Sequence, residues 1–154
     1  MRIIDQQALD ALCATARNTP RKRKNLNLHQ SDAALCHRLF NAIEPGSYIR
    51  PHRHLDPEKD ETFILLRGSL GVIIFDESGK VVESALLRAA GGELAANIPH
   101  GAYHTALSLE SGTVFFEAKA GPYTAITEAE RAPWAPAEGA PGCTAYLQKM
   151  RSLF

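Results

Sequence analysis

The chain has 154 residues, the size of one domain with a real core, and its 45% hydrophobic and 22% charged residues exclude wholesale disorder. Seventeen basic residues balance 17 acidic ones. That zero net charge argues against a nucleic-acid backbone or an anionic membrane as the main partner, because both select a net or clustered positive surface.

The N-terminal stretch "MRIIDQQALDALCATARN" lacks the apolar core and cleavage site of a signal peptide. No stretch reaches the roughly 20 apolar residues of a membrane span. Both features make the cytoplasm the expected location. Asp5 is placed to cap a helix that aligns Ala8, Leu9, Leu12 and Ala16 on one side and ends before "NTPRKRKN". The run Arg21-Lys22-Arg23-Lys24 reads as a solvated loop after Pro20. Cys13, Cys36 and Cys143 are odd in number and far apart, which reads as reduced thiols.

From residue 26 the pattern changes to short apolar or alternating runs: "LNLH", "LCHRLFNAI", "SYIRPHRH", "ETFILLR", "LGVIIF", "VVESALLR", "ELAANI", "AYHTALSL" and "TVFFEAK". Turn residues separate them, at Pro45-Gly46, Gly68, Asp76 to Gly79, Gly91-Gly92, Pro99 to Gly101 and Ser111-Gly112. Many closely spaced strands without intervening helices predict an all-β sandwich or barrel. A proline-rich tail follows Gly121-Pro122, and a short helix is expected over about 144–153. The expected division is an N-terminal helix and extended arm over 1–34, a barrel over 35–120 and a tail over 121–154, in a single domain.

The chemistry concentrates in "RPHRHLDPEKDETFILLRG". Side chains alternate along a strand, so Tyr48, Arg50, His52 and His54 are expected on one face. Glu61 heads the next strand, with Phe63 and Leu65 on its side. "PHGAYH" supplies a turn and then His104. Three imidazoles and one carboxylate suit a single divalent first-row ion such as Fe, Mn, Ni, Cu or Zn, whereas calcium or magnesium prefers more oxygen ligands.

These two segments resemble the two cupin motifs: Gly46 through His52, His54, Glu61 and Gly68 the first, and Pro99 through Gly101 to His104 the second. The resemblance spans about residues 35–120 and implies a cupin double-stranded β-helix, a jelly-roll barrel, with metal ligands His52, His54, Glu61 and His104. The spacing departs from the usual pattern at one point: six residues separate His54 from Glu61, where three or four are usual. Glu58 therefore keeps the spacing from His54, and Glu61 keeps the spacing to Gly68. Glu61 is preferred, because the strand fixes its direction and Glu58 lies in a loop after Pro57. In the second motif, six residues rather than five separate Gly92 from Pro99, and Ser108 stands where asparagine is common.

More narrowly, "RKNLNLH", "EPGSYIRPHRHLDPEK" and "GPY…APWAPAEG" resemble the WbuC-type cupin-fold metalloproteins, some of which are encoded among genes for O-antigen polysaccharide synthesis. That likeness implies a small-molecule ligand related to surface polysaccharides, and it brings no established reaction.

Around the site, Arg50 is expected either in an internal salt bridge, Glu117 being one partner, or on a substrate carboxylate or phosphate. Tyr48 and Tyr103 are candidates for substrate contact, with packing as the alternative. His29, His37 and His100 are left outside the site. Phe63, Phe75, Phe115 and Phe116 are expected in the core or pocket wall, and Trp134 is expected to pin the tail onto the barrel. A homodimer is expected, as is usual among cupins, with "NLNLHQS" adding a strand either to a partner or to its own barrel. Two functional readings remain open: a metal-dependent enzyme on an anionic small molecule, sugar isomerisation or iron-dependent oxygen chemistry included, or a non-catalytic ligand-binding barrel that senses, stores or organises.

Overall fold

A computed structural model describes residues 1–154. Helix α1, Gln6–Asn18, begins where Asp5 accepts a hydrogen bond from the Ala8 amide, and its buried stripe is Leu9, Leu12, Cys13 and Ala16. Eight strands follow: β1 Arg23–Asn27, β2 Cys36–Ile43, β3 Glu61–Arg67, β4 Ser69–Phe75, β5 Val81–Arg88, β6 Ala95–Ile98, β7 Tyr103–Ser108 and β8 Thr113–Ala120. Helix α2, Cys143–Arg151, closes the chain.

The strands form two antiparallel sheets, one in the order β1-β2-β8-β3-β6 and the other β5-β4-β7. Alternation along each strand decides which residues fill the space between the sheets. Phe63 and Leu65 of β3 and Phe115 of β8 meet Leu70, Val72, Leu87 and Ala106 from the facing sheet. The opposite face of β2 and β8 presents Phe40, Ala42 and Val114 to α1. The outer face of β4 and β7, through Ile73, Phe75, Tyr103 and Leu107, is covered by Ala132, Ala135 and the α2 residues Leu147 and Met150. This is the expected jelly-roll barrel with a helix at each end of the chain. Gly68 makes the turn from β3 to β4 at a positive φ of 76°, and a Cβ there would fall 2.9 Å from Thr113 Cα.

Two expectations change, and one left open is resolved. "SYIRPHRH" is extended but is not a ladder strand: it carries only isolated bridges, from His52 to His104 and to Arg131. Pro51 lacks an amide proton, and its carbonyl is taken by the Ala132 amide at 3.0 Å, so no regular ladder runs through it. The basic run is not a free loop. Arg23 and Lys24 open β1, and Arg21 and Arg23 both bind Glu138, at 2.7 and 2.9 Å. The arm strand β1 pairs with β2 of its own chain, in register from Arg23 opposite Ile43 to Asn27 opposite Leu39.

Candidate metal centre

The two histidine segments are joined through their backbones. His52 N–H donates to His104 O at 3.0 Å and His104 N–H donates to His52 O at 2.8 Å, a mutual antiparallel pair that sets both side chains on one face. The Gly101 amide then donates to His54 O at 2.7 Å, which ties the turn of the second motif to the end of the first. Glu61 enters from β3, where its neighbours Phe63 and Leu65 point into the same space.

One potential ligand atom from each of His52, His54, Glu61 and His104 lies within 4.8 Å of all the others. Opposed ligands on one first-row ion are separated by about twice a bond length of roughly 2.1 Å, so this span matches a single ion. His54, Glu61 and His104 are buried, and His52 is partly exposed. Glu58 is exposed in the loop, so the acidic member of the cluster is Glu61.

The hydrogen bonds around the imidazoles fit a cation. His52 Nδ1 lies 3.0 Å from Arg50 O, and His104 Nδ1 lies 3.0 Å from Ala102 O. A carbonyl only accepts, so each Nδ1 carries its proton and Nε2 is the nitrogen left for an ion. Two imidazole nitrogens meet the carboxylate: His104 Nε2 is 3.1 Å from Glu61 Oε2, and His54 Nε2 is 2.8 Å from Glu61 Oε1. Between each of these imidazole nitrogens and the carboxylate there is either a proton, shared as a hydrogen bond, or an ion that both atoms ligate.

Burial, reinforced by the nearby His104 imidazole, pushes His52 down to about 3, so it is neutral, as a ligand must be. Burial alone would raise the Glu61 carboxyl. Hydrogen bonds from His104 and His54, and the Lys119 ammonium, outweigh it and hold the group well below the usual carboxylate range. Lys119 Nζ sits 2.5 Å from Glu61 Oε1 and 2.7 Å from Glu117 Oε1, while Asn41 donates to Glu117 Oε2 at 2.8 Å. Burial opposes the Lys119 charge, yet its two carboxylates raise it above its ordinary value. Glu117 is raised, first by burial and then by the charge on Glu61.

A model of the protein family described as a domain of unknown function (DUF6016) matches residues 4–87, more than half of the chain. The chain belongs to the DUF6016 family. Among curated proteins, nothing matches. Among solved structures, TT1209 from Thermus thermophilus superposes with a TM-score of 0.54 at 27% identity, covering 78% of this chain and 97% of its own. KdgF from Halomonas sp. gives 0.53 at 17% identity, covering 70% and 85%. Protein SO0799 from Shewanella oneidensis gives 0.51 at 18% identity, covering 65% and 68%. The DUF6016 chain thus has a cupin-type jelly roll carrying a His/Glu cluster with the chemistry to hold a metal ion.

Other candidate residues of the DUF6016 site separate from the tetrad. Tyr103 precedes His104 on β7 and so faces the opposite side, where Trp134 meets its ring at 5.9 Å and the Arg53 guanidinium lies 4.3 Å from it. Tyr48 is buried in the same outer core, and its hydroxyl donates to Pro136 O at 2.8 Å. Neither ring reaches the tetrad. Burial raises the Tyr48 hydroxyl above its ordinary value. Arg50 is not paired with Glu117: it donates to Ala132 O through Nη2 at 2.8 Å and Nε at 3.2 Å, and Glu117 pairs with Lys119 instead. Arg50 and His52 do line one cavity of about 340 Å³. No helix is long and apolar enough to cross a membrane.

Proposed function

We propose that this protein binds one divalent transition-metal ion through His52, His54, Glu61 and His104, and uses it to hold and polarise a small anionic molecule at the barrel mouth. The observation that carries the reading is the convergence of four ligand atoms within 4.8 Å, with the Nδ1 protons of His52 and His104 committed to backbone carbonyls. Preset tautomers of this kind orient imidazole lone pairs before an ion arrives.

When bound, the ion supplies Lewis acidity toward a carbonyl or hydroxyl oxygen. The chain supplies the rest: Lys119 fixes one oxygen of Glu61, the Glu117 carboxylate is held beside it, and Arg50 stands next to His52 at the mouth. The substrate class is a sugar derivative related to surface polysaccharides, which rests on the WbuC-type likeness, and sugar isomerisation is the reaction this set of groups suits best. Self-association as a homodimer belongs to the same proposal.

Metal analysis by mass spectrometry of protein purified without a polyhistidine tag tests the reading. Wild-type protein is expected to carry close to one ion per chain, and His52→Ala and His104→Ala to lose it while keeping their β-sheet circular dichroism. Full metal content in His104→Ala overturns the assignment. A thermal-shift screen of sugar acids, sugar phosphates and sugar nucleotides then addresses the ligand, since a compound that binds only the folded state raises Tm.

A further inference from the structure

The cavity beside His52 is lined by Arg21, Arg23, Arg50 and Arg131 against only two carboxylates, Glu128 and Glu138. Three of the four guanidiniums already have an acid. Arg21 grips Glu138 with two hydrogen bonds, at 2.7 and 2.8 Å, Arg23 shares the same carboxylate at 2.9 Å, and Arg131 meets Glu128 at 3.1 Å. Arg50 alone has no carboxylate partner. Its Nε and Nη2 both converge on the neutral Ala132 carbonyl, which fixes the plane of the guanidinium, and Nη1 has no protein acceptor. A half-buried guanidinium held rigid and left short of an anion is the side chain best matched to a carboxylate or phosphate oxygen.

Size narrows the ligand. About 340 Å³ lies at the small end of ligand cavities, which run from about 300 to 1,000 Å³. A second cavity of about 470 Å³ adjoins it, and Arg21, Arg23 and Ile49 are common to both. Arg21 and Arg23, both bound to Glu138 on the smaller cavity's side, are thus part of the wall that both cavities share. We propose that Arg50 is the oxyanion anchor of a subsite beside His52 that takes a single hydroxylated acid of monosaccharide size, a sugar acid or sugar monophosphate, and not a sugar nucleotide. This rests on the reading of His52 as part of a metal centre, and it adds the group that recognises the ligand and the ligand's size.

Calorimetric titration of gluconate, glucose 6-phosphate and UDP-glucose into metal-free and Mn²⁺-loaded protein tests it. Gluconate or glucose 6-phosphate is expected to bind one per chain, with affinity falling at least tenfold in Arg50→Met and partly restored in Arg50→Lys. Arg67→Met, which removes a guanidinium paired with Asp10 outside this cavity, is expected to change it by less than threefold. In the Mn²⁺ form, proton relaxation of the bound ligand is expected to rise, and that rise to vanish in His52→Ala while Arg50-dependent binding persists. Binding that depends on Arg50 without any relaxation effect sinks the metal reading and leaves the anchor standing. The anchor is overturned if neither small acid binds wild-type protein, if Arg50→Met binds as tightly as wild type, or if UDP-glucose binds tighter than both small acids.

Discussion

Lys119 Nζ lies 2.5 Å from Glu61 Oε1, so one oxygen of the tetrad's only carboxylate is already engaged by a protein cation. The register explains why: Glu61 on β3 stands directly opposite Lys119 on β8, and Glu117, two residues before, shares the inward face. An ammonium at this position repels any divalent ion that Glu61 also holds, while it keeps two buried carboxylates from facing each other uncompensated. Lys119→Met therefore has two opposed effects. Metal-free protein loses on the order of 3–5 kcal/mol, as expected for breaking a buried pair from one side. Metal affinity rises about tenfold, equivalent to about 1.4 kcal/mol. The check is thermal unfolding with and without Mn²⁺: the metal-induced rise in Tm is expected to be larger in Lys119→Met than in wild type, and an equal or smaller rise refutes the argument.

The long loop between His54 and β3 gives a second test, because it offers two glutamates of which only Glu61 faces the imidazoles. Glu58 is exposed, and its backbone amide donates to Asp56 Oδ1 at 3.0 Å. Glu58→Ala is expected to leave metal content unchanged and unfolding free energy within about 0.5 kcal/mol of wild type. Glu61→Gln keeps the shape but removes the charge, and metal affinity is expected to fall by at least ~100-fold. Competition with a chelator of known affinity measures both.

These residues also mark how far the sequence reaches. The helix capped by Asp5 and the strands β3 to β5 are local patterns, and the structure places those elements within a few residues of where the patterns put them, whereas the first histidine motif keeps its residues but not its expected strand. In "TVFFEAK" Lys119 shows only as a polar position two residues after Glu117, which the sequence offers as a partner for Arg50 and not for Lys119. Their importance comes from the pairing of β8 with β3, 58 residues apart for Lys119 and Glu61, and strand register across such a distance is decided by packing of the whole barrel. The tyrosines show the converse. Parity alone separates Tyr103 from His104, whereas strand parity misplaces Tyr48, because the segment that carries it is not a regular ladder strand.

The acid side of the stability profile follows from Glu138. Hydrogen bonding from Arg21, opposed by burial and reinforced by Arg23, holds its carboxyl down to about 2, against an ordinary value of 4.5. Because the folded state binds this proton less readily than the unfolded chain, the contribution is complete above about pH 4.5 and is lost as pH falls through about 2. Glu138→Gln should therefore show a shallower loss of stability between pH 4.5 and 2 than wild type. The effect is modest, since about a third of the side chain is exposed and solvent screens the pair. Denaturant titrations at steps across that window measure it, and identical slopes for the two proteins contradict the assignment.

The tail is expected to act on the site through Trp134. Its indole packs on Phe75, with ring centres 5.0 Å apart, and on Tyr103, and it covers Gly79, where any side chain would collide with the ring. The residues it anchors include Arg131 and Ala132, which meet the first histidine segment through the bridge to His52 and the hydrogen bond to Pro51 O. Trp134→Ala removes a large partly buried aromatic, for which a loss of about 3 kcal/mol is expected. Ala132 also supplies the carbonyl that orients Arg50. Loosening the tail is therefore expected to weaken small-acid binding along with stability while metal content is preserved, because Glu61 and His104 lie on barrel strands and the 52–54 segment keeps its bonds to His104 and Gly101. Trp134→Phe keeps an aromatic ring over Gly79 and should restore most of both losses. If Trp134→Ala loses the metal and the stability together, the tail supports the tetrad directly, and the separation between an anchored rim and a barrel-held centre does not hold.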